Sequence, residues 1–313
     1  MLKRSLKILS WIVGFGILIM LFIWIDSDEL SRIFTMIGYV GVLVWLIFTL
    51  LARLLYTEVT VLPLSVFNAK IDRFDVFWIN WVRTFANQIL PLSGLAIYAK
   101  VIKNRTGISW SELSALATPQ FFISALAVGL LGCLASLVVF GLERSGLVLC
   151  TLFACVSIFS LALIIRTATV MRALPKSLSS RLMNSAEAFD KISSRPQLIL
   201  LLLVCYFGIV LLRVGRLWLL FKLSGLQLEW QTVLILGVIA ESTLLIQLTP
   251  GGIGLREGSI FAGAVLLGVD SNIAASVAII DRLLVIVMTV IFVLPSCYFL
   301  WKGQAKVNES IQP

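Results

Sequence analysis

Long uninterrupted apolar runs constrain this chain more than any other feature of its sequence. A helix needs about 20 apolar residues to cross a hydrocarbon core of roughly 30 Å, and several runs approach or exceed that length. They cover residues 8–25, 36–51, 121–142, 147–165, 198–212 and 283–301. Charged residues make up only 13% of the 313 residues, whereas a soluble domain carries about a quarter. The sequence therefore predicts an all-α integral membrane protein, a polytopic helical bundle with at least six crossings.

The distribution of lysine and arginine predicts the orientation of the chain in the membrane. Placing the N-terminus in the cytoplasm puts sixteen of the 25 lysine and arginine residues on that side. Arg32, Arg144 and Lys222 lie outside, and the other six lie at or within apolar segments. Such a bias follows the positive-inside rule. It predicts a multi-pass protein of the cytoplasmic (inner) membrane with both termini in the cytoplasm.

This orientation requires residues 75–103 to enter the membrane and return to the same side. Residues 77–90 form an apolar leg of about 20 Å at 1.5 Å per residue, which is too short to span. The leg meets Pro91 and Gly94, which interrupt a helix, and a second short leg covers 95–102. The segment is therefore predicted to be a re-entrant helical hairpin.

A similar pattern recurs in the second half of the chain. Residues 232–248 lead into a Pro-Gly-Gly-Ile-Gly sequence, and a further leg covers 255–269. The count of crossings brings this hairpin in from the opposite side, which is what an inverted repeat produces. We expect two re-entrant hairpins in an inverted-repeat arrangement. The residues that break them are Pro91, Gly94, Pro250, Gly251, Gly252 and Gly254.

The repeat divides a single membrane domain, residues 1–313, into an N-terminal half (1–166) and a C-terminal half (197–313). A basic stretch, 167–196, connects them and is predicted to be cytoplasmic. Apolar residues recur in it at near-helical spacing: Leu178, Leu182, Phe189 and Ile192. Two interpretations stay open, an amphipathic surface helix that binds anionic lipid and a solvated linker.

Charged and amide side chains cluster around the predicted breaks. A charge at membrane depth costs about 2.5 to 3.5 kcal/mol on insertion scales, so it is kept for pairing or for a polar path. A helix that starts after glycines also presents unpaired N–H groups, which favour an anion. We predict that an anionic substrate is bound by Arg83, Asn87, Gln88, Glu241, Arg256, Glu257, Asp281 and Arg282.

The same charges also have a purely structural interpretation, in which they are ion pairs that hold the two halves together. The pairs suggested by the sequence are Arg256 with Glu257, Asp281 with Arg282, and Arg83 with Glu241. Arg53, Arg213 and Arg216 are interpreted as snorkelling or packing residues outside the site.

The composition argues against several kinds of chemistry. Histidine is absent from the sequence, which removes the usual general base and the commonest metal ligand. No Lys-Ser or Lys-Thr follows the glycine run, so it is not a nucleotide phosphate loop. We predict no catalytic residue, no metal and no cofactor, hence no enzyme. The net charge of +9 is explained by membrane orientation, so no nucleic-acid partner is predicted.

Two motifs carry a family resemblance. They are Asn87-Gln88-Ile89-Leu90-Pro91 with Gly94, and Pro250-Gly251-Gly252-Ile253-Gly254-Leu255-Arg256-Glu257 with the later Asp281-Arg282. At these residues the sequence resembles the lysylphosphatidylglycerol synthase transmembrane region, also called the flippase-like domain family. The resemblance covers nearly the whole chain and implies two re-entrant hairpins and movement of a modified or glycan-bearing lipid. Larger relatives attach an aminoacyl-transferring domain, so we do not expect this chain to aminoacylate lipid alone.

The predicted function is that of a flippase-like transporter with a membrane lipid as substrate, the lipid being anionic, aminoacylated or glycan-bearing. Two other functions stay open. One is secondary transport of a small solute or ion, with Glu241 or Asp281 carrying a coupling proton. The other is a non-transporting accessory of an envelope glycan assembly system. A membrane glycosyltransferase or a lipid-modifying enzyme is then a candidate partner, and a homo-oligomer is also left open.

Overall fold

The structure, a computed structural model, describes residues 11–172, 189–246 and 249–309 except for 12, 22 and 24–26. These residues are helical almost throughout and contain no strand. Helices long and apolar enough to cross a membrane are Asp28–Phe67, Trp110–Phe140, Arg144–Arg166, Pro196–Leu223 and Ser271–Leu300. The predicted polytopic helical membrane protein is confirmed. The first predicted run, 8–25, lies partly outside the described residues, although 13–21 are helical.

The main helices are numbered here in chain order. They are α1 (Ser27–Leu64), α2 (Arg73–Ile89), α3 (Ser93–Thr106), α4 (Trp110–Phe140), α5 (Arg144–Arg172), α6 (Pro196–Leu223), α7 (Trp230–Ile246), α8 (Leu255–Leu266) and α9 (Ser271–Glu309). Short 3₁₀ turns cover Ser65–Phe67 and Pro250–Gly252. Helix α1 is interrupted at Gly38, where φ is 57°.

Helices α2 and α3 pack against each other and form the first hairpin. With 17 and 14 residues, they are about 25 and 21 Å long, shorter than a membrane span. The Asp72 carboxylate accepts a hydrogen bond from the Phe74 amide (3.1 Å) and caps the start of α2. Helix α2 ends at Ile89 because the next residue precedes Pro91 and is extended. An ion pair between Asp75 and Arg105 joins the two ends of the hairpin.

The first break, residues 90–92, satisfies its free backbone groups with nearby uncharged side chains. The Ser93 hydroxyl donates to the Ala86 carbonyl oxygen (2.6 Å), and the Asn87 Oδ1 atom accepts from the Gly94 amide (2.8 Å). A Cβ atom on Gly94 would overlap the Arg83 carbonyl oxygen. Only glycine therefore lets α3 start this close to α2.

Helices α7 and α8 form the second hairpin, with 17 and 12 residues. The chain between them turns at Gly251, Gly252 and Gly254, whose φ angles are 57°, 74° and 81°. These are left-handed conformations that favour glycine. The Glu257 Oε2 atom accepts a hydrogen bond from the Gly254 amide (2.7 Å), which caps the start of α8. Residues 247–248 of the predicted first leg lie outside the described residues.

The two hairpins meet at their breaks inside the bundle. A Cβ atom on Gly251 would lie 3.1 Å from the Gln88 Cγ atom, so the second break touches the end of α2. Helix α2 packs against α9, α7 packs against α4, and α1 packs against α6. The bundle therefore brings both breaks to one central region.

The predicted connector, residues 167–196, overlaps the end of one helix and precedes the start of the next. Helix α5 continues to Arg172, six residues beyond the predicted boundary, whereas α6 begins at Pro196. Phe189 and Ile192 are buried, and Ile192 packs with Leu64, near the end of α1. These two residues therefore belong to the packed bundle rather than to a solvated linker. Leu178 and Leu182 lie outside the described residues.

Candidate functional site

A cavity of about 500 Å³ lies where the two hairpin breaks meet. Helices from both halves of the chain form its wall. Six arginines line it: Arg53, Arg83, Arg213, Arg216, Arg256 and Arg282. Among the described residues that line the cavity, Glu241 is the one carboxylate. Positive charge therefore dominates the wall.

Asp281 on α9 is the centre of the ion-pair network behind this wall. Its fully buried carboxylate accepts hydrogen bonds from Arg256 Nη1 (2.6 Å), Arg216 Nη2 (3.0 Å) and the Trp45 indole nitrogen (2.9 Å). These contacts join α1, α6, α8 and α9. One carboxylate therefore fixes two of the cavity arginines.

Glu241 on α7 faces the cavity and is buried. Its Oε2 atom accepts a hydrogen bond from Arg213 Nη1 (2.5 Å). The other oxygen lies 3.9 Å from Arg256 Nε and has no hydrogen-bond partner among the described residues. Glu241 therefore compensates Arg213 and also weakly engages Arg256.

Arg282 and Glu257 tie the second break to α9. The Arg282 Nε atom lies 3.2 Å from the Glu257 carboxylate, and its Nη2 atom donates to the Gly251 carbonyl oxygen (2.9 Å). Since Glu257 also caps α8 at Gly254, both sides of the break are attached to one buried ion pair. The geometry of the second break is therefore fixed by charge.

Arg53 and Arg83 contact only neutral groups. Arg53 donates to the Thr84 hydroxyl (2.8 Å) and lies over the Trp81 ring, 4.3 Å from its centroid. Arg83 lies over the rings of Tyr56 and Tyr98, at 5.4 and 5.1 Å. Within the described part of the chain, neither arginine has a carboxylate within ion-pair distance.

The structure brings most of the predicted site residues together. Those that line the cavity are Arg83, Asn87, Gln88, Glu241, Arg256 and Arg282, with Pro91, Gly251 and Gly252 from the breaks. Glu257 and Asp281 lie behind the wall, fully buried. Gly94, Pro250 and Gly254 belong to the breaks without lining the cavity. Substrate binding by any of these residues stays a prediction.

The ion pairs are not those that the sequence suggested. Arg256 pairs with Asp281 instead of Glu257, and Arg282 pairs with Glu257 instead of Asp281. The carboxylate of Glu241 pairs with Arg213 and not with Arg83. Neighbours in sequence do not face each other on a helix, so each charge finds its partner on another helix.

Sequence reasoning left half of the cavity's arginines out of the site. Arg53, Arg213 and Arg216 line it, although they were interpreted as snorkelling or packing residues. The available signal was spacing, because Arg213 and Arg216 are three residues apart and share one face of α6. Their common direction predicts a shared environment rather than two unrelated contacts.

Comparison with known proteins places the chain in a family. The family model described as "Lysylphosphatidylglycerol synthase TM region" matches residues 11–292, a range that contains both breaks and every arginine of the cavity. Neither the curated proteins nor the solved structures give a match. The chain belongs to the lysylphosphatidylglycerol synthase transmembrane-region family.

Proposed function

We propose that this protein moves an anionic lipid between the leaflets of the membrane, with the head group in the arginine-lined cavity and the tails in hydrocarbon. The observation that carries this proposal is the six arginines facing a single carboxylate, Glu241, in a cavity between two helix breaks. Charges at membrane depth are costly and are kept for pairing or for a path. The cavity has more arginines than the protein carboxylates can pair with. A path for an anion accounts for the unpaired arginines.

The outer wall of the cavity favours a lipid over a water-soluble solute. Leu92 and Leu95 at the start of α3 and Phe121 on α4 line the cavity and also have exposed surface. We propose that the cavity opens to hydrocarbon beside these apolar side chains, so that lipid tails remain there while the head group enters. A carrier of a soluble ion gains nothing from such an opening. The family's name refers to an enzyme that modifies a lipid head group, which supports the same choice.

We further propose that both hairpins are re-entrant and form an inverted repeat. Reciprocal packing supports this arrangement: the first helix of each hairpin (α2, α7) packs against the helix that follows the other hairpin (α9, α4). The helices that precede the hairpins, α1 and α6, pack against each other. This reciprocal packing is what a two-fold axis between the two halves of the chain would produce. Rocking of one half against the other then exposes the cavity to each leaflet in turn.

Labelling of introduced cysteines tests the re-entrant topology. In a background without the five native cysteines, Lys70→Cys and Lys103→Cys are expected to react with a membrane-impermeant reagent from the same side, the cytoplasmic one. Clustering of Leu64, Ile102 and Leu300 supports a common side, because it joins the C-terminal parts of α1 and α3 to the end of the apolar, spanning part of α9. Reaction of the two cysteines from opposite sides overturns the hairpin proposal.

Reconstitution into liposomes tests lipid movement. We expect fluorescent phosphatidylglycerol or a labelled polyprenyl phosphate to move between leaflets, measured as the label protected from an external quencher. Arg83→Gln should lower that rate about tenfold or more, because it removes a cation that faces the cavity. The control is Arg32→Gln, which changes an exposed arginine that pairs with Glu29 and does not line the cavity.

An unchanged rate in folded Arg83→Gln protein overturns the assignment of the cavity as the path. Uptake of free phosphate into the same vesicles, without lipid movement, favours instead the second candidate, transport of a small anion. The polar wall of the cavity, with Thr49, Gln120 and Ser124 beside the arginines, is the observation that keeps this candidate in the test.

A further inference from the structure

We infer that the head group carries at least two negative charges on phosphate, as a phosphomonoester or a diphosphate does, and that Arg53 and Arg83 hold this phosphate. The inference rests on the proposed function and specifies its substrate class. It separates the cavity arginines into four that pair with protein carboxylates and two that are reserved for the ligand.

The four compensated arginines surround three carboxylates. Arg216 and Arg256 share Asp281. Glu241 engages Arg213 and also lies near Arg256, whereas Glu257 pairs with Arg282. This group retains a formal charge of +1. Arg53 and Arg83 raise the excess to +3 among the described residues.

A positive excess of this size favours head groups with more negative charge over those with less. A phosphodiester brings one negative charge and leaves most of the excess uncompensated. A phosphomonoester brings about −1.5 to −2 at neutral pH, and a diphosphate brings more. A head group esterified with lysine carries two ammonium groups beside one phosphate, so its net charge is positive. In a weakly screened cavity, like charges repel strongly. The lysyl head group is therefore expected to bind with the lowest affinity.

The surroundings of Arg53 and Arg83 are suited to phosphate. Arg83 makes no hydrogen bond to any described residue, so its five N–H donors are available. Its contacts with Tyr56 and Tyr98 orient the planar guanidinium group without using those donors. Arg53 uses Nη1 for Thr84 and the Asn80 carbonyl oxygen, and its other nitrogen donors are left over. Oriented guanidinium forks are what bidentate phosphate recognition requires.

A buried hydroxyl in the same cavity points to a ligand independently of the charge count. The Thr249 side chain, at the second break, is 1% exposed and lines the cavity. Its Oγ1 atom has no hydrogen-bond partner among the described residues. A buried hydroxyl is normally hydrogen-bonded, and a phosphate oxygen in the cavity would supply the acceptor.

A set of compounds with one tail and different head groups tests the inference. The full chain is purified in detergent and offered dodecyl diphosphate, dodecyl monophosphate, a dodecyl glycerophosphate diester and its lysyl ester, with inorganic diphosphate as the tail-free arm. Binding is measured by displacement of a fluorescent anionic lipid. We expect the diphosphate and the monophosphate to bind about tenfold more tightly than the diester or better, with the lysyl ester weakest. Inorganic diphosphate should bind more weakly than its dodecyl form.

Variants connect this order of affinities to the two arginines. The double variant Arg53→Gln/Arg83→Gln should bring the diphosphate close to the affinity of the diester, whereas Arg32→Gln should retain the wild-type order. Melting temperature without ligand provides a second measurement. Arg83→Gln is expected to raise it, because an uncompensated charge is removed. Arg256→Gln is expected to lower it, because Asp281 loses a partner. A lower melting temperature for Arg83→Gln indicates a structural arginine and overturns the inference.

The failure of this inference differs from the failure of the proposed function. If the diester or the lysyl ester binds as tightly as the diphosphate, the multiply charged head group is wrong while lipid binding stands. If inorganic diphosphate binds as tightly as its dodecyl form, the charge requirement holds but lipid recognition fails. If no dodecyl compound displaces the fluorescent lipid, both fail.

Discussion

The two helix breaks of this protein hold their arginines in opposite ways. At the second break, Arg282 bonds to the Gly251 carbonyl oxygen and pairs with Glu257, so charge is used to fix the backbone. At the first break, uncharged groups of Asn87 and Ser93 fix the backbone. Arg83 there contacts only aromatic rings in its surroundings. The second break is therefore held by charge, whereas the first leaves Arg83 without an ion-pair partner among the described residues. On the function proposed above, the second break is the scaffold and Arg83 at the first is the charge that meets the ligand.

The two breaks also differ in how closely their left-handed backbone positions are packed. The second break uses glycine at each left-handed position, and Gly251 and Gly254 lie against Gln88 and Gly14. The first break places Leu92 in a left-handed conformation with φ 63°, and this side chain is 56% exposed. The left-handed position of the first break therefore has space for a side chain, and it borders the proposed opening to hydrocarbon.

The largest effect on the free energy of unfolding is expected from Asp281→Asn, which removes the charge at the centre of the buried ion-pair network. Two arginines, Arg216 and Arg256, then lose a fully buried partner. Breaking a buried pair on one side costs about 3 to 5 kcal/mol, so we expect a large fall in the free energy of unfolding. Denaturant unfolding in detergent measures it.

Glu29→Gln is the matched control, because it removes a partly exposed carboxylate whose partner, Arg32, is exposed. Pairs of that kind contribute about 0 to 1 kcal/mol. Equal stability of Asp281→Asn and Glu29→Gln would mean that the buried network does not hold the second half together, and the contrast between the two breaks would be lost.

An intermediate effect is expected from Gly94→Ala at the first break. The new methyl group would overlap the Arg83 carbonyl oxygen and the Asn87 amide group. Overpacking of this kind costs about 1 to 3 kcal/mol, and it should also lower the rate of lipid movement by displacing Arg83. Gly16→Ala is the control, since a Cβ atom there meets no other atom within 4 Å. Wild-type stability of Gly94→Ala would show that α2 and α3 separate more easily than their contact suggests.

Much of this architecture follows from local sequence rules. Apolar length predicts the spanning helices, and Pro91 and the Gly251-Gly252 pair lie at the two breaks. The six arginines that the orientation count assigns to apolar segments are the same six that line the cavity. Charge at membrane depth therefore locates the cavity better than the motifs do.

The pairing of those charges is not encoded locally. Arg216 and Asp281 are 65 positions apart, and Trp45 reaches the same carboxylate across 236 positions. Such contacts depend on which helices pack together, and no spacing rule relates them. The role of Arg83 could not be assigned from the sequence for the same reason: only packing shows that its carboxylate counterpart, Glu241, is used by Arg213.

The smallest effects are expected from exchanging the residue types of the two breaks. Gly251→Ala places a Cβ atom in a left-handed conformation 3.1 Å from Gln88, which costs roughly 1 to 2 kcal/mol. Leu92→Gly removes a similar strain, but the more flexible unfolded chain offsets about 0.4 to 1 kcal/mol of that gain. Its net effect on the free energy of unfolding is therefore expected to stay below about 1 kcal/mol. Denaturant unfolding of both variants measures these effects. A larger loss of unfolding free energy for Leu92→Gly than for Gly251→Ala would show that the first break, and not the second, is the rigid one.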